Sequence, residues 1–141
     1  MFDYVSYAQT LRHELHQCPE IGFDLPQTLA IVRRELDAMG IPYTEEYGIS
    51  AIVATINPQC KGFTIGLRAD MDALPMQEES GETFACREGA MHACGHDLHT
   101  AMLLGAAQLL VNRKKDWQGC VKLMFQPAEE LLAGAEDMVA A

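Results

Sequence analysis

The stretch Met91-His92-Ala93-Cys94-Gly95-His96-Asp97-Leu98-His99 gathers three of the chain's five histidines, one of its five cysteines and an aspartate around a glycine. Thiolate, imidazole and carboxylate are the donors that borderline divalent metals take. His92, Cys94 and His96 recur at every second position. On extended chain that spacing sends the three side chains to one side, whereas on a helix residues i and i+2 point apart. The segment therefore reads as an extended or loop approach that presents Cys94 and His96 to one ion, with a helix starting just beyond. The competing reading is a polar helix start, with Asp97 or Thr100 near the cap and Cys94 a buried free thiol.

Two acidic pairs could complete such a centre. Asp70 and Asp72 lie in RADMDALP, residues 68–75, and Glu129 with Glu130 closes QPAEE, residues 126–130. Metal-assisted hydrolysis needs an ion that lowers the pKa of bound water and a free carboxylate that takes the proton. Adjacent glutamates on extended chain point to opposite sides, so one can hold a metal while the other faces the water. Each pair also has an ordinary reading. Paired glutamates at a helix start complement its dipole, and a lone aspartate after a strand is a turn residue. Their joint placement after strands, around a Cys/His cluster, favours a site.

The elements that must position these groups follow from periodicity. Residues Tyr4 to Gln17 read as an amphipathic helix on Val5, Ala8, Leu11 and Leu15, stopped by Cys18-Pro19. Near its end, His13 and His16 could share a face or serve as cations at the helix C-terminus. A second helix runs from Pro26 to Met39, opened by proline and closed by Gly40. Three strands are expected next: a short edge strand over Tyr43–Tyr47, then Ser50–Ile56 and Phe63–Leu67. Gln77 to Ala90 has no period and reads as an exposed loop. A long buried helix from Asp97 or Leu98 to Arg113, a strand over Gly119–Phe125 and a helical segment Leu131–Ala141 complete the chain. The order is that of an α/β protein, with Phe63–Leu67 and Gly119–Phe125 a parallel pair joined through the long helix. All three polar clusters would then gather at one edge of the sheet, at the carboxyl ends of its strands.

Composition narrows the partners. A chain of 141 residues, 49% hydrophobic and 21% charged, is one ordinary globular domain's worth. Twenty acidic against ten basic residues give a net charge of −10, which argues against nucleic acid or an anionic membrane. The N-terminus lacks a basic, apolar leader, and no apolar run reaches membrane-spanning length. Five scattered cysteines suit reduced thiols, so the expected location is cytoplasmic. A small structural zinc or redox protein would pair its cysteines at short spacing, and this chain does not.

The strings LRADMDALP (Leu67–Pro75), MHACGHD (Met91–Asp97) and FQPAEE (Phe125–Glu130), with RHELHQCPEIGF (Arg12–Phe23), closely resemble the hippurate hydrolase-like N-acyl-amino-acid amidohydrolases. That group, within the aminoacylase–carboxypeptidase metallopeptidases, includes auxin-conjugate and aminobenzoyl-glutamate hydrolases. The resemblance covers essentially the whole chain. It implies a Zn-peptidase-like catalytic domain, a mostly parallel sheet flanked by helices, of which residues 1–141 are the N-terminal part. It implies cleavage of the amide bond of a small N-acyl amino acid with two divalent ions: Zn, Mn, Co or Ni. Cys94 would be a thiolate ligand able to bridge the ions, His96 a ligand of one, and Glu130 a further carboxylate ligand. Glu129 would be the general base, and Asp70 the carboxylate beneath the metals. His92 and His99 either orient ligands or are structural.

Members of that group are more than twice as long. The resemblance implies two further histidine ligands, a lid and dimerisation domain, and closing strands beyond the motifs present here. The complete enzyme would be a homodimer. This chain alone is expected to turn over little or not at all; the alternative is a catalytically incompetent fragment that at most binds metal weakly.

Overall fold

The computed structural model describes residues 2–141. Helix α1 (Tyr4–His16) starts at Asp3, whose carboxylate accepts the N–H groups of Val5 and Ser6. Helix α2 (Pro26–Met39) has proline in its first turn and ends at Gly40, which is left-handed at φ 65°. Then come β1 (Tyr43–Thr44), β2 (Ile52–Ile56), β3 (Thr64–Asp70), α3 (His96–Asn112), β4 (Cys120–Gln126) and α4 (Gly134–Ala140). The α/β class is as the sequence suggests. Helix α4 begins three residues later than the segment read from Leu131.

The four strands form one sheet in the order β1-β2-β4-β3. Strands β3 and β4 run parallel, with α3 as their crossover. The other pairings are antiparallel, β1 with β2 and β2 with β4, so β1, β3 and β4 run one way and β2 runs against them. Connection length explains this. A parallel return needs a crossover of about a dozen residues or more, and only the β3–β4 link has one. The short turn after β2 sends β3 back in the opposite direction, and β4 then inserts between them.

Period-two alternation builds the core. Ile52, Ala54 and Ile56 on β2, with Val121, Leu123 and Phe125 on β4, are buried, while Lys122 is exposed and Met124 half-buried. Against the apolar face pack Leu11 and Leu15 of α1, Val32 and Leu36 of α2, and Ala101, Leu104 and Ala107 of α3. Among the described residues no helix is long and apolar enough to cross a membrane.

Candidate metal centre

The parallel pair decides where the acids fall. In its register Asp70 stands beside Gln126, and the Met71 N–H continues the ladder to the Gln126 carbonyl at 2.9 Å. Both strands thus end level, and the residues that follow them meet. Asp72, 1% exposed, accepts the Glu129 N–H on Oδ1 at 3.0 Å and the Glu130 N–H on Oδ2 at 3.1 Å. One buried carboxylate therefore shapes the whole turn that carries the glutamates. Ala128 takes a left-handed φ of 51° to enter that turn. Gly134 closes it, because a Cβ there would lie 1.9 Å from the Pro127 carbonyl oxygen.

Helix α3 delivers the imidazole. Its start at Gly95 is left-handed, at φ 83°, with no side-chain cap. The helix begins at His96, one residue before the expected start. His96 Nδ1 donates to the Asp72 carbonyl at 2.7 Å, and Thr100 Oγ1 donates to the Asp70 carbonyl at 2.9 Å. His96 Nε2 then sits 3.6 Å from Asp70 Oδ2, 3.6 Å from Glu129 Oε2 and 3.8 Å from Glu130 Oε1. Asp70 is itself held by His99 Nδ1 at 2.5 Å and by Arg68 at 3.1 Å. Two trios of donor atoms, Asp70/His96/His99 and His96/Glu129/Glu130, each lie within 4.8 Å of one another.

Electrostatics follow from this crowding. Burial pushes the His96 pKa down, but the hydrogen bond to Asp72 and the charge of Asp70 outweigh it and carry it up to about 9. Burial pushes Asp72 up, and the bonds from His96 and the two glutamate N–H groups bring it below the ordinary carboxylate value. The Cys94 thiol is pushed up first by the hydrogen bond to Glu130. Four carboxylates around one imidazole make a hole that attracts cations. Glu130 Oε1 is buried there with no hydrogen-bond partner among the described residues. A buried carboxylate oxygen without a donor is what a metal ion would satisfy, so the residues present fit a divalent ion.

The structure brings Asp70, His96, Glu129 and Glu130 together. Cys94 lies beside Glu130 on an exposed turn, outside both trios. Two expectations change. Glu129 and Glu130 do not point to opposite sides, because they stand in a turn and both approach His96. His92, Cys94 and His96 do not share a side either, since Ala93 and Cys94 turn before the helix; both histidines are buried and Cys94 is exposed. The residue that sequence reasoning passed over is Asp72, kept only as one of a pair. The signal was its spacing: two positions from Asp70 on extended chain, it shares that residue's side.

Beside the start of α3 lies a cavity of about 310 Å³, lined among others by Arg12, His16, Glu78, Phe84, His92 and Asp97, and reaching Cys94. His16 is not an exposed helix-end cation. It is 3% exposed, with Nδ1 2.7 Å from Asp97 Oδ2 and Nε2 3.1 Å from Glu78 Oε1. His13 stacks on the Phe84 ring at 4.0 Å. His92 has no partner for either ring nitrogen among the described residues, and burial pushes its pKa down to about 4.

Comparison with known proteins adds an independent line. The model of peptidase family M20/M25/M40 matches residues 66–141. An IAA-amino acid hydrolase (ILR1-like 5) of Arabidopsis thaliana is 43% identical over 140 residues, covering 99% of this chain and 32% of its own length. A hippurate hydrolase of Campylobacter jejuni is 42% identical over 140 residues, covering 99% of this chain and 36% of its own length. The chain thus spans about a third of the length of the curated relatives it matches. In three dimensions it superposes on a Bacillus subtilis protein described as a dinuclear metal-binding peptidase of the M20 family. The TM-score is 0.91 at 38% identity, over 97% of this chain and 39% of the other.

Proposed function

The chain belongs to peptidase family M20/M25/M40, and on that premise we propose that it carries part of a metal-dependent amidohydrolase site. The reaction is cleavage of the amide bond of small N-acyl amino acids. The observation that carries this reading is the convergence of Asp70, Glu129 and Glu130 on His96 Nε2, at 3.6–3.8 Å. Substrates of the hippurate, aminobenzoyl-glutamate or auxin-conjugate kind are supported by relatives called hippurate hydrolase and IAA-amino acid hydrolase. Residues 1–141 would form the first part of the catalytic domain of a homodimeric enzyme. Free cysteines suit a reducing cytoplasm.

His96, Glu130 and Cys94 would hold the ion. A bound Zn, Mn, Co or Ni ion lowers the pKa of water and polarises the amide carbonyl. Glu129, with a side chain 37% exposed, is open enough to take a proton from water and return it to the leaving amine. Asp72 aims that carboxylate by gripping its own N–H. Asp70, gripped by His99 and Arg68, forms the anionic floor under His96.

Three protein donors are enough for one open metal position and few for two ions. The chain alone is therefore expected to bind a single ion and to turn over little. Calorimetric titration with Zn²⁺ or Mn²⁺ should show one ion per chain, and tight binding of two would contradict this account of the donor set. In a version as long as the relatives, Glu129→Gln should abolish hydrolysis and leave metal content intact. Normal activity with that change would remove Glu129 from the role of base.

A further inference from the structure

Asp97 follows His96 in sequence, yet its partners are not those of His96. The first turn of α3 has no side-chain cap, so other contacts must fix it. Three of them, from His96, His99 and Thr100, reach Asp70 and Asp72 at and just beyond the end of β3. The fourth is Asp97, 1% exposed. Its Oδ2 is hydrogen-bonded to His16 Nδ1 at 2.7 Å and lies 2.8 Å from Arg12 Nε, an ion pair without a hydrogen bond, both on α1; its Oδ1 has no hydrogen-bond partner among the described residues. The other His16 nitrogen reaches Glu78, which in turn accepts the Cys86 N–H at 3.0 Å and the Ser80 hydroxyl at 2.5 Å. Arg12 also lies over the Phe84 ring, 4.7 Å from its centroid.

A buried carboxylate is costly unless paired, so any rotation or slide of the first turn that parts Asp97 from α1 is opposed. The same turn carries His96. We propose that Asp97, clamped by His16 and Arg12, is a positioning residue that sets the first turn of α3 and thereby aims His96 Nε2 at Glu129 and Glu130. The proposal rests on the reading of His96 as a metal ligand. A clamp that merely held α1 against α3 would affect stability alone.

The two roles separate on the 141-residue chain by Zn²⁺ titration, thermal denaturation and the His96 side-chain ¹H–¹³C cross-peak of the metal-free protein. Asp97→Asn and His16→Leu are expected to weaken Zn²⁺ binding about tenfold or more and to shift that cross-peak. His16→Asn, whose amide can replace Nδ1 at Asp97 but cannot reach Glu78, should restore most of the affinity. Leu36→Ala, a core truncation on α2, should lower Tm and leave Kd unchanged. Should Asp97→Asn and His16→Leu fail to fold, Arg12→Lys carries the test, with the same cross-peak shift and a smaller loss of affinity. The proposal is overturned if the folded clamp variants lower Tm while Kd and the cross-peak stay as in wild type. If the wild-type chain binds no Zn²⁺, the metal reading fails by itself. The cross-peak then decides the clamp alone: a shift sustains it, and an unchanged position overturns it.

Discussion

His92 and His96 stand four positions apart and are 5% and 4% exposed, yet their surroundings drive them in opposite directions. At the strand ends His96 meets Asp70, Asp72, Glu129 and Glu130, and its pKa rises to about 9. In the cavity beside the start of α3, His92 has no bonded partner among the described residues and falls to about 4. Burial alone discharges an imidazole. The attraction for a cation therefore comes less from the histidine-rich motif than from the carboxylates that the parallel pair β3–β4 delivers beside it. The motif supplies the ligand; the strand ends supply the field.

The strongest way to break this contrast is to remove the acid that organises the strand ends. Asp72→Ala leaves the Glu129 and Glu130 N–H groups without their acceptor and removes the carboxylate beside His96, whose bond to the residue 72 carbonyl remains; it should cost about 3 kcal/mol in urea denaturation while abolishing Zn²⁺ binding. Glu130→Gln leaves the turn intact. It should weaken Zn²⁺ by about tenfold or more in calorimetry, with Tm barely changed.

The pH dependence of stability should show both histidines at once. A folded pKa raised above its unfolded value stabilises at low pH, so His96 support is full below about 6.5 and lost as pH rises through about 9. For His92 the folded value is lowered, so its contribution is present above about 6.5 and lost as pH falls through about 4. Urea midpoints of the metal-free chain should fall on both flanks, and His96→Gln should flatten the alkaline one. The smallest change is expected from His92→Leu, within about 1 kcal/mol of wild type, because an apolar group there removes polar atoms that have no partner. A loss as large as that of Asp72→Ala would erase the distinction between the two regions.

What the sequence made legible was what neighbours along the chain decide. Pro26 and Gly40 bracket α2 where the residues predict it, because proline opens a helix and a left-handed glycine ends it. The α3 crossover made the β3–β4 pairing readable. Neighbour order elsewhere in the sheet was not, since the insertion of β4 between β2 and β3 depends on packing rather than on any local pattern. The same limit hid His16. A histidine at a helix end reads as a dipole partner, and its actual partners lie 81 and 62 residues away. Asp72 looked like a turn residue because its work is done on backbone N–H groups, which carry no side-chain signature.

The most direct test follows the imidazole ¹H–¹³C cross-peaks of His92 and His96 through a pH titration, with and without Zn²⁺. Without metal His96 should titrate near 9 and His92 near 4, and at neutral pH Zn²⁺ should shift His96 and leave His92 in place. An ordinary titration of His96 with no response to Zn²⁺, or a response at His92 instead, would contradict this contrast.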